Sequence, residues 1–81
     1  MNRKRLKRRH FSFMWDGLIH LNDGSQWRLA DPERRHDVTW WQNGETVDLE
    51  RDRGGIVLHN LDRREDVPIV AAMELRLELA A

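Results

Sequence analysis

The chain contains no cysteine among its 81 residues. Disulfide bonds and thiolate metal ligands are therefore excluded, and cysteine usage indicates no redox compartment. Long apolar runs are also missing, since the longest, residues 67–73, contains a proline and is too short to span a bilayer. No apolar signal-peptide core follows the basic N-terminal residues. We expect a cytoplasmic protein without membrane association, stabilised by packing or self-association.

The charges are equal in number, fourteen of each sign, but they are unevenly distributed. Residues 11–81 carry eight positive and fourteen negative charges, a net charge of −6. The first ten residues contain six cations and no acid, namely Arg3, Lys4, Arg5, Lys7, Arg8 and Arg9. Because like charges repel one another, the sequence predicts a disordered basic arm over residues 1–10. Such an arm would contact a polyanion, or would dock on the acidic residues of its own or a neighbouring chain.

Residues 11–81 have the pattern of one small β domain. Short apolar segments alternate with turn residues at 16–17, 22–24, 43–44 and 53–55. A polar connection at 31–37 contains Pro32, which cannot donate a ladder hydrogen bond, and it has room for one helical turn. The pattern predicts an all-β, single-domain antiparallel barrel or sandwich, SH3-like or OB-like, of five to six short strands.

Strict alternation identifies the expected core face. Trp27 and Leu29 alternate with polar residues, and Ile19 and Leu21 are predicted to share their buried face. Residues 38–42 are predicted to form a strand that leads into the turn at 43–44. The C-terminal residues 71–81 alternate like a strand although they are helix formers, and the alternation favours a strand that can pair with another chain.

The hairpin DGLIHLNDGSQW and several later residues resemble a group of small bacterial β-barrel domains of unknown function. The matching positions are Gly17, Ile19, Leu21, Asp23, Gly24, Ser25, Trp27, Trp41, Val47, Leu58, Asn60 and Val67. The resemblance covers roughly residues 16–75 and implies a small barrel without a known activity. Because the group carries tryptophan at the position of Trp41, it implies that Trp41 points inward and that its neighbour Trp40 points outward.

Catalytic and metal-binding patterns are weak. The four histidines lack ligand spacing, although His20 and His59 could meet across neighbouring strands. Ser25 lies in a turn without a positioned base, and a pair such as Asp23 and Glu45 is expected by chance among fourteen acids. We therefore predict no enzyme activity, no cofactor and no metal site.

A second resemblance concerns cyclic-dinucleotide binding. Arg5-x-x-x-Arg9 followed by Asp23-x-Ser25 is similar to the arginine arm and Asp-x-Ser-x-x-Gly turn of PilZ domains. The chain departs from that pattern at Arg28, where the turn requires glycine. The resemblance implies a phosphate-binding alternative that depends on paired guanidinium groups.

Trp40 and the six cations are the predicted partner-binding residues. An outward tryptophan is typical of a binding hot spot, although it can also cover an open barrel end. The leading hypothesis is a non-catalytic barrel that binds a protein partner or associates with itself. The alternative is a nucleic-acid-associated module in which the basic arm contacts phosphates and Trp40 stacks on a base.

Overall fold

The structure, a computed structural model, describes residues 3–72. Six strands and a short helical connection make up this part of the chain. The strands are β1 (Lys4–Trp15), β2 (Leu18–Leu21), β3 (Gln26–Leu29), β4 (Thr46–Asp52), β5 (Gly55–Asn60) and β6 (Glu65–Ala71). Between β3 and β4 lie a 3₁₀ turn, Pro32–Arg34, and a five-residue helix, α1 (Arg35–Thr39). The predicted strand over residues 71–81 falls almost entirely outside the described residues.

The strands close into one antiparallel barrel in the order β1-β2-β3-β6-β5-β4. The prediction of a small all-β barrel is thereby confirmed. Closure depends on β1, which is long enough to have two neighbours: its first half pairs with β4 and its second half with β2. Each half carries a β-bulge, one between Arg5 and Lys7 and one between Phe11 and Phe13. Bulges increase local bending, as a strand shared between two sides of a barrel requires.

The hairpin turns follow the predicted chemistry. Asp16 and Gly17, with φ of 54° and 77°, form a two-residue connection between β1 and β2. Positive φ at both central residues is the geometry of the type I′ turn that matches the twist of paired strands. In the next turn Gly24 has a φ of 88°, a value that side-chain-bearing residues rarely adopt. These turns place β1, β2 and β3 side by side.

The core is formed by the inward residues of all six strands together with residues from the helical connection. Ile19, Leu21 and Leu29 are buried, as the alternation predicted. Trp27 packs against this cluster but is only partly buried. The remaining buried cluster members are Phe11, Val38, Trp41, Val47, Leu49, Leu58, Val67 and Ile69. No helix within residues 3–72 is long and apolar enough to cross a membrane.

Two local predictions are wrong. Lys4–His10 belong to β1 and are not a disordered arm, because β4 offers a pairing edge and acidic partners for the cations. Residues 38 and 39 end α1 and do not form a strand. The Asp31 side chain, which accepts from the Glu33 N–H, and Pro32 begin the 3₁₀ turn Pro32–Arg34, and α1 continues directly from that turn to Thr39.

Candidate partner-binding surface

Trp40 and Trp41 follow α1 and have opposite environments. The Trp40 side chain is 71 % exposed, whereas Trp41 is 5 % exposed. Trp41 packs edge-on against Phe11 at a centroid distance of 5.6 Å, and its indole N–H donates to Glu65 Oε1 at 2.8 Å. The prediction for both residues is confirmed, but the cause is different. The pair follows the C-terminus of α1, so the end of a helix, and not strand alternation, separates the two side chains.

Two further aromatic side chains are exposed on β1. Trp15 is 74 % exposed and Phe13 is 50 % exposed. The Phe13 ring stacks on His20 of β2 at a centroid distance of 4.2 Å and an interplanar angle of 11°. Phe13 and Trp15 therefore share the outer face of the β1–β2 hairpin. We call Phe13, Trp15 and Trp40 together the aromatic surface.

Sequence reasoning missed Phe13 and Trp15 because of the bulge before Phe13. In a regular strand Phe11 and Phe13 would face the same side. The bulge adds one residue, so Phe11 points into the core while Phe13 points outward. The alternation of Phe13 and Trp15 with Met14 was a usable signal for a shared face. Nothing in the sequence indicated that this face was the outer one.

A groove lies between β1 and the helical connection, next to Phe13. Its volume is about 310 Å³. Phe13 lines it on the strand side, and Thr39 and Trp41, which flank Trp40 in sequence, line it on the other side. The loop after Trp41 is held against β1, since Asn43 Nδ2 donates to the Ser12 carbonyl at 3.1 Å. The groove is thus a fixed feature between two tethered segments.

The predicted basic residues are largely neutralised within the chain. Arg8 binds Asp48 of β4 through two hydrogen bonds of 2.8 and 3.1 Å. Asp48 is only 4 % exposed, and the Arg8 guanidinium holds the pKa of that carboxyl below its ordinary value despite burial. Arg3 Nη1 donates to Glu50 at 3.2 Å and to Asp66 at 3.0 Å. These contacts place the segment on acids of its own chain, whereas association with a neighbouring chain stays a prediction.

The remaining cations fall into two groups. Arg9 and Lys7 both approach Asp23 of the β2–β3 turn, at 2.9 and 3.5 Å. Lys4 and Arg5 make no ion pair with any residue from 3 to 72. Four of the six predicted contact cations are therefore engaged, and the two nearest the start of β1 are available.

Asp23 and Ser25 are used by the turn itself. The Ser25 hydroxyl and backbone N–H both donate to Asp23 Oδ1, at 2.6 and 3.0 Å, and the Trp27 indole N–H donates to Ser25 Oγ at 3.0 Å. Partial burial raises the pKa of Asp23, but the bonds from Ser25 and Arg9, together with the charge of Lys7, lower it well below its ordinary value. The turn therefore keeps the Asp23 carboxylate ionised and fixes the position of the Trp27 indole.

The histidines do not form a cluster. His20 lies on β2 and His59 on β5, and these strands are not neighbours in the barrel. The His59 ring contacts the carboxylate of Asp66. Burial raises the pKa of Asp66, but the hydrogen bonds from His59 and Arg3 outweigh that effect and lower the pKa below its ordinary value. Within residues 3–72, histidine and acidic side chains form no group of three suited to a metal ion.

Comparison with protein-family models, curated proteins and solved structures gives no match to the chain. The resemblance of the hairpin to small bacterial β-barrel domains therefore stays a prediction. Among the described residues, Phe13, Trp15 and Trp40 are the aromatic side chains that the packing of the barrel leaves half or more exposed.

Proposed function

We propose that this chain is a non-catalytic β-barrel module that binds a protein partner through its aromatic surface. The observation that carries the proposal is the exposure of Phe13, Trp15 and Trp40, three large aromatic side chains that are half or more exposed. Tryptophan is enriched among residues that dominate binding energy, because it buries a large area with few rotatable bonds. An enclosed core lies beneath, so the surface is presented on a rigid support.

The distribution of polar contacts supports a binding role over catalysis. The carboxylates that stood out as candidates have structural partners: Asp23 bonds with Ser25 and Arg9. Glu45 accepts from Asn60 at 2.9 Å and from Arg63 at 2.9 and 3.0 Å. A general acid or base needs a group within hydrogen-bond reach of a substrate, and these groups are already turned toward the fold.

Ion pairing also favours a protein partner over a nucleic acid. Phosphate binding by the basic segment requires free cations, and Arg3, Lys7, Arg8 and Arg9 already face carboxylates. The PilZ-like alternative depends on Arg5 and Arg9, and the Arg9 guanidinium bonds to Asp23 at 2.9 Å and to the Arg8 carbonyl at 2.7 Å. A phosphate would have to displace these bonds.

Affinity capture from the source cell with three forms of the full chain tests the proposal. The forms are the wild type, the double variant Trp15→Ser/Trp40→Ser, and Leu6→Ser as a matched control. Leu6 is 44 % exposed but lies on the other half of β1, so its replacement removes an exposed apolar residue outside the aromatic surface. We expect the same protein to be retained by the wild type and the control and lost with the double variant.

The retained protein is then purified and titrated against each form by calorimetry. A hot-spot tryptophan accounts for about 2 kcal/mol or more, so each single tryptophan variant should weaken binding at least about thirtyfold. If Leu6→Ser weakens binding as much as the tryptophan variants do, the aromatic surface is not the site. Sedimentation tests whether the partner is a second copy of the chain. In that case the mass of the wild type rises with protein concentration, whereas the double variant keeps the mass of the monomer.

A further inference from the structure

A pocket of about 270 Å³ lies beside the turn between β1 and β2. The turn, the end of β3 and the helical connection form its walls, and the lining residues are Asp16, Gly17, Arg28, Leu29, Pro32 and Arg35. Leu29 is a buried core residue and the ring of Pro32 restricts its backbone, so part of the lining is apolar and rigid. The pocket is separate from the groove beside Phe13.

Two guanidinium groups of this lining are available to a ligand. Arg28 and Arg35 are exposed, and neither forms an ion pair with any residue from 3 to 72. Arg35 also lines a neighbouring hollow with Glu33 and His36, but it is not paired with Glu33. The planar fork of an arginine matches a carboxylate through two parallel hydrogen bonds. The pocket therefore offers donors that the described part of the chain does not use.

The charge of the lining favours a singly charged anion. Arg28 and Arg35 contribute two positive charges and Asp16 one negative charge, so the lining has a net charge of +1. One carboxylate balances this charge. A phosphate monoester, which carries about −1.5 to −2 at pH 7, would bring excess negative charge next to Asp16.

The strand register connects this pocket with the aromatic surface. Trp15 of β1 lies directly opposite Leu18 of β2, and Leu18 lies directly opposite Arg28 of β3. Directly opposite residues of antiparallel strands have their side chains on the same face, and the exposure of Trp15 and Arg28 identifies this face as the outer one. Two strand spacings, about 10 Å, separate Trp15 from Arg28, and an extended peptide covers that distance in about three residues.

We propose that the pocket holds the carboxylate of an acidic side chain of the partner, while an apolar side chain about three residues away packs on Trp15. This inference rests on the proposed function, because Trp15 belongs to the aromatic surface, and it defines the chemistry of the partner segment. Charge complementarity is the argument for this occupant, since a carboxylate pairs with both Arg28 and Arg35 and balances the charge of the lining.

Peptide titration of the full chain, followed by proton–nitrogen NMR spectra at constant ionic strength, tests the pocket. The probe is acetyl-Leu-Ser-Ser-Glu-amide, and the neutral control peptide ends in Gln instead of Glu. The reporter is the indole N–H of Trp15, and the internal control is that of Trp41, which is buried and bonded to Glu65. We expect a saturable shift of the Trp15 signal with the Glu peptide. The Gln peptide should bind at least about tenfold more weakly, because charged hydrogen bonds are the stronger ones.

Three variants separate the pocket from a general effect of charge. Arg28→Gln/Arg35→Gln should weaken binding of the Glu peptide at least about tenfold and should make the two peptides equal. Asp16→Asn should strengthen it about threefold, because it removes the acid of the lining. The control Arg51→Gln/Arg53→Gln removes two exposed cations of the β4–β5 hairpin that form no ion pair within residues 3–72, and it should change the affinity less than about twofold.

Three outcomes would overturn the inference. The first is a Glu peptide that binds the wild type no better than the Gln peptide, or that gives no saturable shift of the Trp15 signal. The second is inorganic phosphate that displaces the Glu peptide at a concentration below the dissociation constant of the peptide. The third comes from the affinity capture: a protein that is lost with Trp15→Ser/Trp40→Ser but fully retained by Arg28→Gln/Arg35→Gln. That last result would leave the proposed function standing and would overturn the carboxylate pocket alone.

Discussion

At the scale of single residues, Trp40 and Trp41 are neighbours in sequence but lie in different environments. Trp41 fills the core beside Phe11 and has a hydrogen-bond partner in Glu65, whereas Trp40 is exposed. The different environments, and not the residue type, should therefore determine the cost of replacing each tryptophan.

We predict that Trp41→Ala lowers the free energy of unfolding by about 3–5 kcal/mol, because it leaves a cavity in the core. Trp40→Ala should change it by less than about 0.5 kcal/mol, as for an ordinary surface position. Urea denaturation followed by circular dichroism measures both. If Trp41→Ala does not fold, Trp41→Phe, which keeps an aromatic ring but loses the bond to Glu65, serves in its place. Equal losses for Trp40 and Trp41 would contradict the prediction.

Asp23 gives a prediction about pH. Its folded-state pKa lies below the ordinary aspartate value, so ionised Asp23 stabilises the fold above about pH 4. That contribution is lost as the pH falls below this value toward the folded-state pKa. Asp23→Asn keeps a side-chain acceptor for Ser25 but removes the charge that faces Arg9 and Lys7. We expect it to lower the free energy of unfolding by about 1 kcal/mol at pH 7.

Urea denaturation at pH 7, 5 and 3.5 measures the pH dependence. The difference between the wild type and Asp23→Asn should stay constant from pH 7 to 5 and should shrink at pH 3.5. Asp16→Asn is the control, because Asp16 also lies in a hairpin turn but makes no ion pair within residues 3–72. A difference that grows on acidification would reverse the predicted sign.

At the scale of elements, β1 is where sequence reasoning and structure diverge most. A run of six cations predicted disorder because like charges repel. Strand pairing with β4 places Arg8 directly opposite Asp48, and Arg3 forms an ion pair with Glu50, so repulsion along the strand is offset by attraction across it. The acids that do this come from positions about 40 residues away in sequence, which a local charge pattern does not reveal.

We predict that Arg8→Ala lowers the urea midpoint clearly more than Arg5→Ala does. Removing Arg8 leaves Asp48 buried without its bidentate partner, and an uncompensated buried charge is costly. Arg5, on the same strand, makes no ion pair within residues 3–72 and is the matched control. In the Asp48→Asn background the difference between the two variants should largely disappear, and its persistence would show that Arg8 acts in another way.

At the scale of the whole molecule, folding interleaves charges that the sequence separates. The basic and acidic parts of the chain, +6 and −6, become a surface on which Arg3, Lys7, Arg8 and Arg9 face carboxylates. The field available to attract a polyanion is correspondingly smaller than six free cations would produce.

This predicts weak nucleic-acid binding by the basic segment. With Lys4 and Arg5 as the available cations, log K for a single-stranded oligonucleotide should fall with log salt at a slope of about −1.4, against about −4 for six free cations. Fluorescence anisotropy over a salt series measures the slope. Lys4→Ala/Arg5→Ala should abolish this binding, and the control Arg53→Ala/Arg64→Ala should not. A slope near −4 would mean that the ion pairs open.

The sequence by itself determined the β class, the glycine turns at 17 and 24 and the buried positions Ile19, Leu21 and Leu29, because turn chemistry and period-2 burial are local properties. The resemblance to small barrels correctly implied which of the adjacent tryptophans is buried. Only the tertiary structure decided that the basic run is a strand and that Phe13 and Trp15 are exposed. Those outcomes depend on acids distant in sequence and on a bulge that reverses the facing of β1, so long-range pairing and not local pattern decided which of these side chains are exposed.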